Sequence, residues 1–557
     1  MEKTRWYKNA VVYQVYPFSF KDSNNDGWGD INGIISKLDH IKELGATAIW
    51  FSPLYDSPDY DYGYDIKDYK AIDPKFGTME DFDHLLDECH KRDLKIIMDM
   101  VINHTSMEHE WFKKALKGDP KYRNYYIIKK GIKKGNKLLP PTNWNSSFTG
   151  SAWERIGDSD EFYLHLFCKE QPDLNWENPE VRNEIVDILN FWLDKGVDGY
   201  RFDVFNLFSK KEYVDDPKGG VLAGTPYFVD GPRMHEFLKE LNSRALGIHD
   251  SYTVGETYQP SKEACLEYVK EVNNELDTVF NFEHLASDSI GGLKFFRKPF
   301  NIKQFKEGLF DPQRSYYGHG WNTLVLENHD VPRSICRFGI NYKKYRYEAA
   351  TFLATITYMG FGIPFIYMGQ ESGLVNADFK SMDELKDPVS HFVYDMMKSY
   401  MIPKPLAFNF VKFGCRDHAR VPMNWDSSVN GGFNKGHAPW QKMNENYKEL
   451  NIEIDKTSDK SVFKYYQELL KIKKTNDIAI HGEVKEYEHE SKKIIAYSRT
   501  YDNKKLYVFG NFSNHPVTYT VPDEFKDYDI LIGNYKDTNK ADTYKLRPLE
   551  AIVLEKK

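Results

Sequence analysis

Three acids, each closing a different β-type run, are the residues of this chain best placed to do chemistry. They are Asp203 in Gly199-Tyr-Arg-Phe-Asp, Glu256 in Tyr252-Thr-Val-Gly-Glu, and Asp330 in Asn328-His-Asp. If the runs are strands of one barrel, the three carboxyl groups meet in a single pocket. Such crowding is costly in a purely structural protein, because like charges disfavour one another's ionisation. Cleavage of a glycosidic bond has a use for it: one carboxylate attacks, one carboxylic acid donates a proton, and a third negative charge faces the oxocarbenium-like transition state. Arg201 lies two residues before Asp203, so strand alternation puts it on the same face, where it would keep Asp203 ionised. Glu256 has no cation beside it in sequence, which suits a proton donor, and Asp330, next to His329, is left to brace the substrate. Taken singly, each acid reads more readily as a solvated loop carboxylate; the set of three carries the argument.

The elements that must position these acids follow from hydrophobic periodicity. Short β-type runs fall near 10–16, 46–51, 95–102, 197–203, 252–255, 278–282, 323–326 and 363–367. Most are followed by helical patterning, such as Ile31, Ile34, Ile35, Leu38, Ile41 and Leu44, a stripe that ends at Gly45. About eight such repeats predict a (β/α)8 TIM barrel. An open doubly wound sheet competes, but no Gly-rich phosphate loop follows the first run. Two excursions break the rhythm: 105–176, after the third strand, and roughly 369–460, after the last. Beyond 478, alternating runs separated by Asn, Asp, Gly and Pro predict a C-terminal antiparallel β-sandwich. The expected domains are a barrel over 1–104 and 177–478, an inserted subdomain over 105–176, and a sandwich over 479–557.

With 557 residues the chain is long enough for several domains, and its net charge of −8 argues against nucleic acid as the main partner. The first residues lack the apolar core of a secretory signal, and no run approaches the ~20 apolar residues of a membrane span. Five scattered cysteines, none in a CxxC pair, predict reduced, buried thiols in a cytoplasmic protein; the expected assembly is a monomer or weak homodimer.

Asp99-Met-Val-Ile-Asn-His104, the run ending at Asp203, Val254-Gly-Glu256 and Asn328-His-Asp330 resemble, in order, the four motifs of glycoside hydrolase family 13, the α-amylase family. Tyr13-Gln-Val-Tyr-Pro17, Gly63-Tyr-Asp65, Gln171-Pro-Asp-Leu-Asn175 and the run from Arg416 to Met423 look like its oligo-1,6-glucosidase and dextran glucosidase branch. The resemblance implies that Asp203 is the nucleophile, Glu256 the acid/base and Asp330 the transition-state stabiliser of a retaining double displacement, with the first two carboxyls roughly 5–5.5 Å apart. It implies glucose contacts from Asp65, His104, Arg201 and His329, stacking by Tyr64, and an Arg416–Asp65 pair closing the pocket, with Arg420 a weaker candidate. Core histidines are the plain alternative for His104 and His329. Gln171, Phe148 and Phe167 are expected near the substrate, with Trp28 also at the mouth, although aromatics more often simply pack.

Valine after the nucleophile is associated in this branch with α-1,6 linkages, so Val204 points to isomaltose-type oligosaccharides; a merely β-branched strand residue would look the same. Tyr258, Glu327 and the Met368-Gly-Gln-Glu371 run depart from the usual pattern near the expected aglycone site, keeping kojibiose, sucrose and maltose open. Asp22-Ser-Asn-Asn-Asp-Gly-Trp-Gly-Asp30 resembles a calcium loop, implying structural Ca²⁺ on Asp22, Asn24, Asp26, Asp30 and the Trp28 carbonyl. A metal-free Asx-rich turn is the alternative. Rival functions are a trehalose-6-phosphate hydrolase, which should add a basic pocket from Lys210-Lys211 or 129–137, a sucrose isomerase, and an inactive carbohydrate-binding or scaffolding relative.

Overall fold

The computed structural model describes residues 5–148, 150–259, 261–290 and 293–556. Eight parallel strands form the central sheet: β1 (Val12–Val15), β2 (Ala48–Phe51), β3 (Lys95–Met100), β4 (Gly199–Phe202), β5 (Tyr252–Gly255), β6 (Thr278–Val279), β7 (Thr323–Val325) and β8 (Ile363–Tyr367). Their order is β6-β5-β4-β3-β2-β1-β8-β7, so sequence neighbours are also spatial neighbours and the strands form a TIM barrel. The seam between β6 and β7 carries no ladder pairing; the Thr323 hydroxyl bridges it instead, donating to the Val279 carbonyl at 3.1 Å and accepting from the Asn281 N–H at 3.3 Å. Nearly every strand residue is buried, which a sheet covered by helices outside and side chains inside requires.

The expected long helix over 31–44 is two helices, Ile31–Ile35 and Leu38–Leu44. The Ser36 hydroxyl donates to the Gly33 carbonyl at 2.6 Å, taking an acceptor the first helix would otherwise extend through. Gly45 ends the second helix with φ 104°, the left-handed cap expected of it.

Between β3 and the helix Pro179–Lys195 stands a small antiparallel sheet of Ile128–Lys130, Glu161–Leu164 and Trp153–Arg155, plus the hairpin Ile132–Lys134 with Lys137–Leu139. Its apolar core of Trp144, Trp153, Phe162 and Leu164 is continuous with Val204, Leu207, Phe228 and Val229 of the β4–β5 connection. That connection is a third excursion, which periodicity did not separate from the barrel. After β8, the helices Pro388–Ser399 and Lys404–Gly414 pack against the hairpin strand Leu293–Arg297.

The C-terminal part is a five-stranded antiparallel sheet, Glu483–Tyr487, Ile494–Tyr501, Lys504–Asn511, Ala551–Glu555 and Asp529–Gly533, with a two-stranded layer of Val517–Thr520 and Thr543–Leu546. Buried Arg499 ties it to the barrel by donating to the Met359 carbonyl at 2.6 Å and the Gly482 carbonyl at 2.8 Å. The five cysteines are free; Cys336 is only half-buried, the other four fully. Among the described residues no helix is long and apolar enough to cross a membrane.

Candidate active site

The C-terminal ends of the strands converge as the barrel requires. Arg201 pairs in register with Asp99 on β3 and Val254 on β5, so guanidinium and carboxylate stand at one level on adjacent strands. The ladder continues one residue past the strands: the Asp203 N–H donates to the Met100 carbonyl at 3.1 Å and the Glu256 N–H to the Phe202 carbonyl at 2.8 Å. Both acids are thus fixed by backbone rather than by loop packing. Gly255 before Glu256 has no room for a side chain, since a Cβ would fall 2.3 Å from the Phe205 ring.

Arg201 is the centre of the charge network. Its Nη1 bonds Asp99 at 2.6 Å and Asp203 at 2.7 Å, and its Nη2 bonds Glu256. Sequence adjacency left Glu256 without a cation; tertiary structure supplies the same one that holds Asp203. Burial pushes Glu256 up to about 8, with Asp203 and Asp330 adding to the rise against Arg201. Burial also lifts Asp203, to about 6, with Arg201 and a hydrogen bond from Glu256 pulling the other way. A proton therefore resides on Glu256 in preference to Asp203. Asp330 goes in the opposite direction: burial would raise it, but His329, Arg416, Arg420 and Lys294 hold it well below the carboxylate range. Burial holds His329 itself neutral, down to about 3, so the arginines at 3.0 Å (Arg420) and 3.4 Å (Arg416) keep Asp330 ionised.

A cavity of about 570 Å³ opens above these acids. Asp203, Glu256, Asp330, Tyr64, His104, Val204, Arg416, Phe148, Phe167 and Gln171 all line it. His104 and Gln171 stand together, 3.2 Å apart, both on the Tyr64 carbonyl. Arg201 and His329 lie one layer beneath: the His329 ring runs parallel to that of Tyr64, centroids 5.2 Å apart, and its Nδ1 meets Gln14 at 2.9 Å. The Tyr64 hydroxyl donates to Asp99 at 2.9 Å. Trp28 is turned away from the cavity, stacked on Trp440.

One expected pair is different in the structure. Arg416 bonds Asp61 at 2.8 Å and Asp387 at 2.7 Å, not Asp65. Asp65 faces inward, accepting from the Asp61 N–H at 3.0 Å and the Ser57 hydroxyl at 3.1 Å. Both acids belong to Asp61-Tyr-Gly-Tyr-Asp65; the turn at Gly63 sends the first toward the cavity and folds the second back as its support. Asp387 lies in the irregular stretch after β8 and Lys294 in the hairpin before β7, where no periodic signal marked them. Glu327 also proves remote from the aglycone region: it is buried against Arg333 at 3.0 Å and Ser334 at 2.7 Å. Gln370 likewise bonds Tyr358 and Tyr466, while Tyr258 does line the cavity. Of the lysines considered for a phosphate pocket, Lys210 is buried on Asp173 at 2.8 Å and Lys211 donates to the Pro226 carbonyl.

A parallel barrel whose strand ends gather carboxyl groups around a buried arginine is an arrangement suited to glycoside hydrolysis. The family described as alpha amylase, catalytic domain, matches residues 14–482, and the alpha-amylase SusG C-terminal domain matches 494–553. The chain belongs to the α-amylase family. It is 44% identical to an oligo-1,6-glucosidase of Parageobacillus thermoglucosidasius, with 98% of each chain covered. It is 43% identical to a trehalose-6-phosphate hydrolase of Bacillus subtilis (strain 168), covering 99% of this chain and 98% of that one. The crystal structure of Bacillus licheniformis trehalose-6-phosphate hydrolase superposes with a TM-score of 0.93 at 41% identity, covering 99% of this chain and 100% of that one.

The two acids of the Asp61–Asp65 turn are separable by experiment. Burial pushes Asp65 up to about 7, so its contribution to stability is lost as pH rises from the unfolded value of about 4 through 7. Asp65→Asn keeps an oxygen acceptor for both bonds and should improve in thermal midpoint relative to the wild type as pH rises over that range. Asp61→Asn deprives Arg416 of a carboxylate at the cavity and should cut kcat/KM by about ten-fold or more. Equal activity loss in both variants would contradict this division.

Proposed function

We propose that the protein is a retaining, exo-acting α-glucosidase that hydrolyses α-1,6-linked gluco-oligosaccharides such as isomaltose, longer isomaltooligosaccharides and panose. The observation that carries this reading is the guanidinium of Arg201 shared by Asp203 and Glu256 at the floor of the cavity. Asp203 attacks the anomeric carbon while Glu256 gives its proton to the departing oxygen. Water then displaces Asp203, with Glu256 taking the water's proton. Asp203 and Glu256 are both drawn onto the one guanidinium of Arg201, which supports the close carboxyl spacing of a retaining enzyme over the roughly 6.5–9.5 Å that an inverting enzyme needs for its water. Asp330, kept anionic by Arg416 and Arg420, faces the developing positive charge. The Asp61–Arg416–Asp387 chain closes one side of the cavity, which favours attack from a chain end.

The α-1,6 preference rests on Val204 and on the names of the relatives. Val204 adopts φ 36° and ψ 41°, left-handed geometry that is costly for a β-branched residue. Strand propensity therefore does not account for it, and its side chain faces the cavity beside the nucleophile. A second reading, hydrolysis of trehalose-6-phosphate, draws on Lys294, whose ammonium lines the same cavity. Cytoplasmic residence fits the five free thiols, and an oligosaccharide is the only partner the chemistry needs, the protein acting as a monomer or weak homodimer.

We also propose that the loop from Asp22 to Asp30 takes a structural Ca²⁺. Asp22 and Asp30 are buried, and the hydrogen-bond partners of Asp22, Asp26 and Asp30 are neutral groups such as the Asn25, Gly27 and Gly33 N–H. Three carboxylates, the Asn24 amide and the Trp28 carbonyl form an all-oxygen donor set suited to a hard cation. Among the described residues no cluster of three or more His, Cys, Asp or Glu side chains is drawn together as a finished metal site, so the ion would contract the loop on binding.

Glucose release from isomaltose, panose, maltose, sucrose, kojibiose and trehalose-6-phosphate tests the substrate assignment. Isomaltose should exceed maltose, Val204→Thr should shift the ratio toward maltose, and Asp203→Asn should have no turnover; faster release from trehalose-6-phosphate would favour the second reading. The pH profile of kcat/KM should be bell-shaped, falling below about 6 as Asp203 protonates and above about 8 as Glu256 loses its proton. Glu256→Gln should remove the alkaline limb. Chelation by EDTA should lower the thermal midpoint, and added Ca²⁺ but not Mg²⁺ should restore it; an unchanged midpoint would leave the loop as a metal-free turn.

A further inference from the structure

Asp203 and Glu256 follow adjacent strands, and the segments that leave them run on side by side. The last register pair of β4 and β5 is Phe202 with Gly255. Beyond it, Val204 turns the chain in the left-handed region, φ 36°, and starts the single helical turn Phe205–Leu207. That turn brings the Phe205 N–H to the Glu256 carbonyl, to which it donates at 3.2 Å. One residue on, the side chain of Asn206 does what a strand partner would do. Its Oδ1 accepts from the Tyr258 N–H at 2.7 Å, and its Nδ2 donates to the Tyr258 carbonyl at 2.9 Å. One side chain thus takes both main-chain groups of one residue, the exchange that a hydrogen-bonded pair of an antiparallel ladder makes through its backbones.

A carboxamide suits this task because it carries an acceptor and a two-hydrogen donor on one planar group. The second amide hydrogen of Asn206 goes to Asp230 at 3.1 Å, and the Tyr268 hydroxyl donates to the same Asp230 oxygen at 2.8 Å. The Asp230 N–H donates back to the Asn206 carbonyl at 2.9 Å. Val204 and Tyr258 line the cavity, while Asn206 is fully buried. Removing its amide would strand the Tyr258 N–H and carbonyl, a cost the loop can lower only by moving. Glu256 is therefore bracketed by its own N–H on Phe202, its carbonyl on Phe205, and Tyr258 on Asn206. All three ties lead to the segment that carries Asp203.

The geometry points to Asn206 as a positioning residue for proton transfer. Its carboxamide fixes the backbone that carries Glu256 against the backbone that carries Asp203, so that the acid meets the departing oxygen while the nucleophile meets the anomeric carbon. The inference rests on the roles given to Asp203 and Glu256 in the retaining reading above, and it adds a residue that acts through them. Misplacing a reacting group by about 1 Å costs as much as about 10²-fold in rate. Loss of the clamp falls on the step in which Glu256 gives its proton, and most heavily on substrates whose leaving group needs that proton most.

The test compares kcat/KM for phenyl α-glucoside and p-nitrophenyl α-glucoside. Both carry one aromatic ring as aglycone, but phenoxide is the poorer leaving group and depends more on protonation. Asn206→Ala removes both bonds to Tyr258. Asn206→Asp combined with Asp230→Asn keeps an acceptor for the Tyr258 N–H and a hydrogen bond between positions 206 and 230, and loses the donation to the Tyr258 carbonyl. In each, the phenyl to p-nitrophenyl ratio should fall about ten-fold from the wild-type value, a part of the roughly 10²–10⁴-fold that general acid catalysis supplies. Thermal midpoints identify the folded variants, and the double substitution decides the matter if Asn206→Ala does not fold. Equal loss on both substrates in a folded variant makes Asn206 a merely structural residue and overturns the inference, as does an unchanged ratio at full activity. Glu256→Gln is the control, and its ratio should fall further still. A ratio unmoved in that control removes Glu256 as proton donor and takes the proposed function with it; a fall there alone leaves that function standing without Asn206.

Discussion

Arg201 is a fully buried cation that three carboxylates share, and the rest of the site depends on it. Without a guanidinium between them, Asp99, Asp203 and Glu256 could not all stand at the ends of adjacent strands, because ionising any one would raise the others. One planar fork with several donors serves all three, something a lysine ammonium does not do in fixed geometry. Since the cation cannot satisfy three negative charges, one proton stays in the cluster. Burial and geometry put it on Glu256, the acid that reaches the glycosidic oxygen in the proposed mechanism.

A second set of charges is arranged in the opposite sense. Arg416, Arg420 and Lys294 surround Asp330, and Asp61 and Asp387 balance Arg416. Here cations prevail and the carboxylate is kept ionised. The site therefore separates a proton-holding half from a permanently anionic half within one cavity. This division of labour among acids of ordinary type comes from their surroundings, not from the residues themselves.

The fold contributes precision where the chemistry needs it and variation where specificity does. Asp203 and Glu256 are each held by a backbone hydrogen bond that continues the barrel ladder. The aglycone side is built from connections instead: the inserted sheet, the long β4–β5 segment, and the helices after β8. These segments share apolar clusters with one another, so the wall facing the leaving group is set by packing among excursions. Barrel enzymes change substrates by altering such loops while leaving strand ends alone.

Local patterning determined the barrel strands and the helix ending at Gly45, because short continuous apolar runs and stripes of period 3.6 are written in adjacent residues. It also marked Asp203, Glu256 and Asp330, since a carboxylate just past a strand is a local feature. It did not determine which acid of Asp61-Tyr-Gly-Tyr-Asp65 meets Arg416, nor that Arg201 would reach Glu256. Nor did it reveal Asp387, at the start of a helix after β8, and Lys294, in the short hairpin before β7, which acquire meaning only from what they approach. Those facts concern charges 29 to 355 residues apart in the chain, and Coulombic partnership depends on distance in space. Only the closed barrel, with its excursions packed over the strand ends, decides that distance.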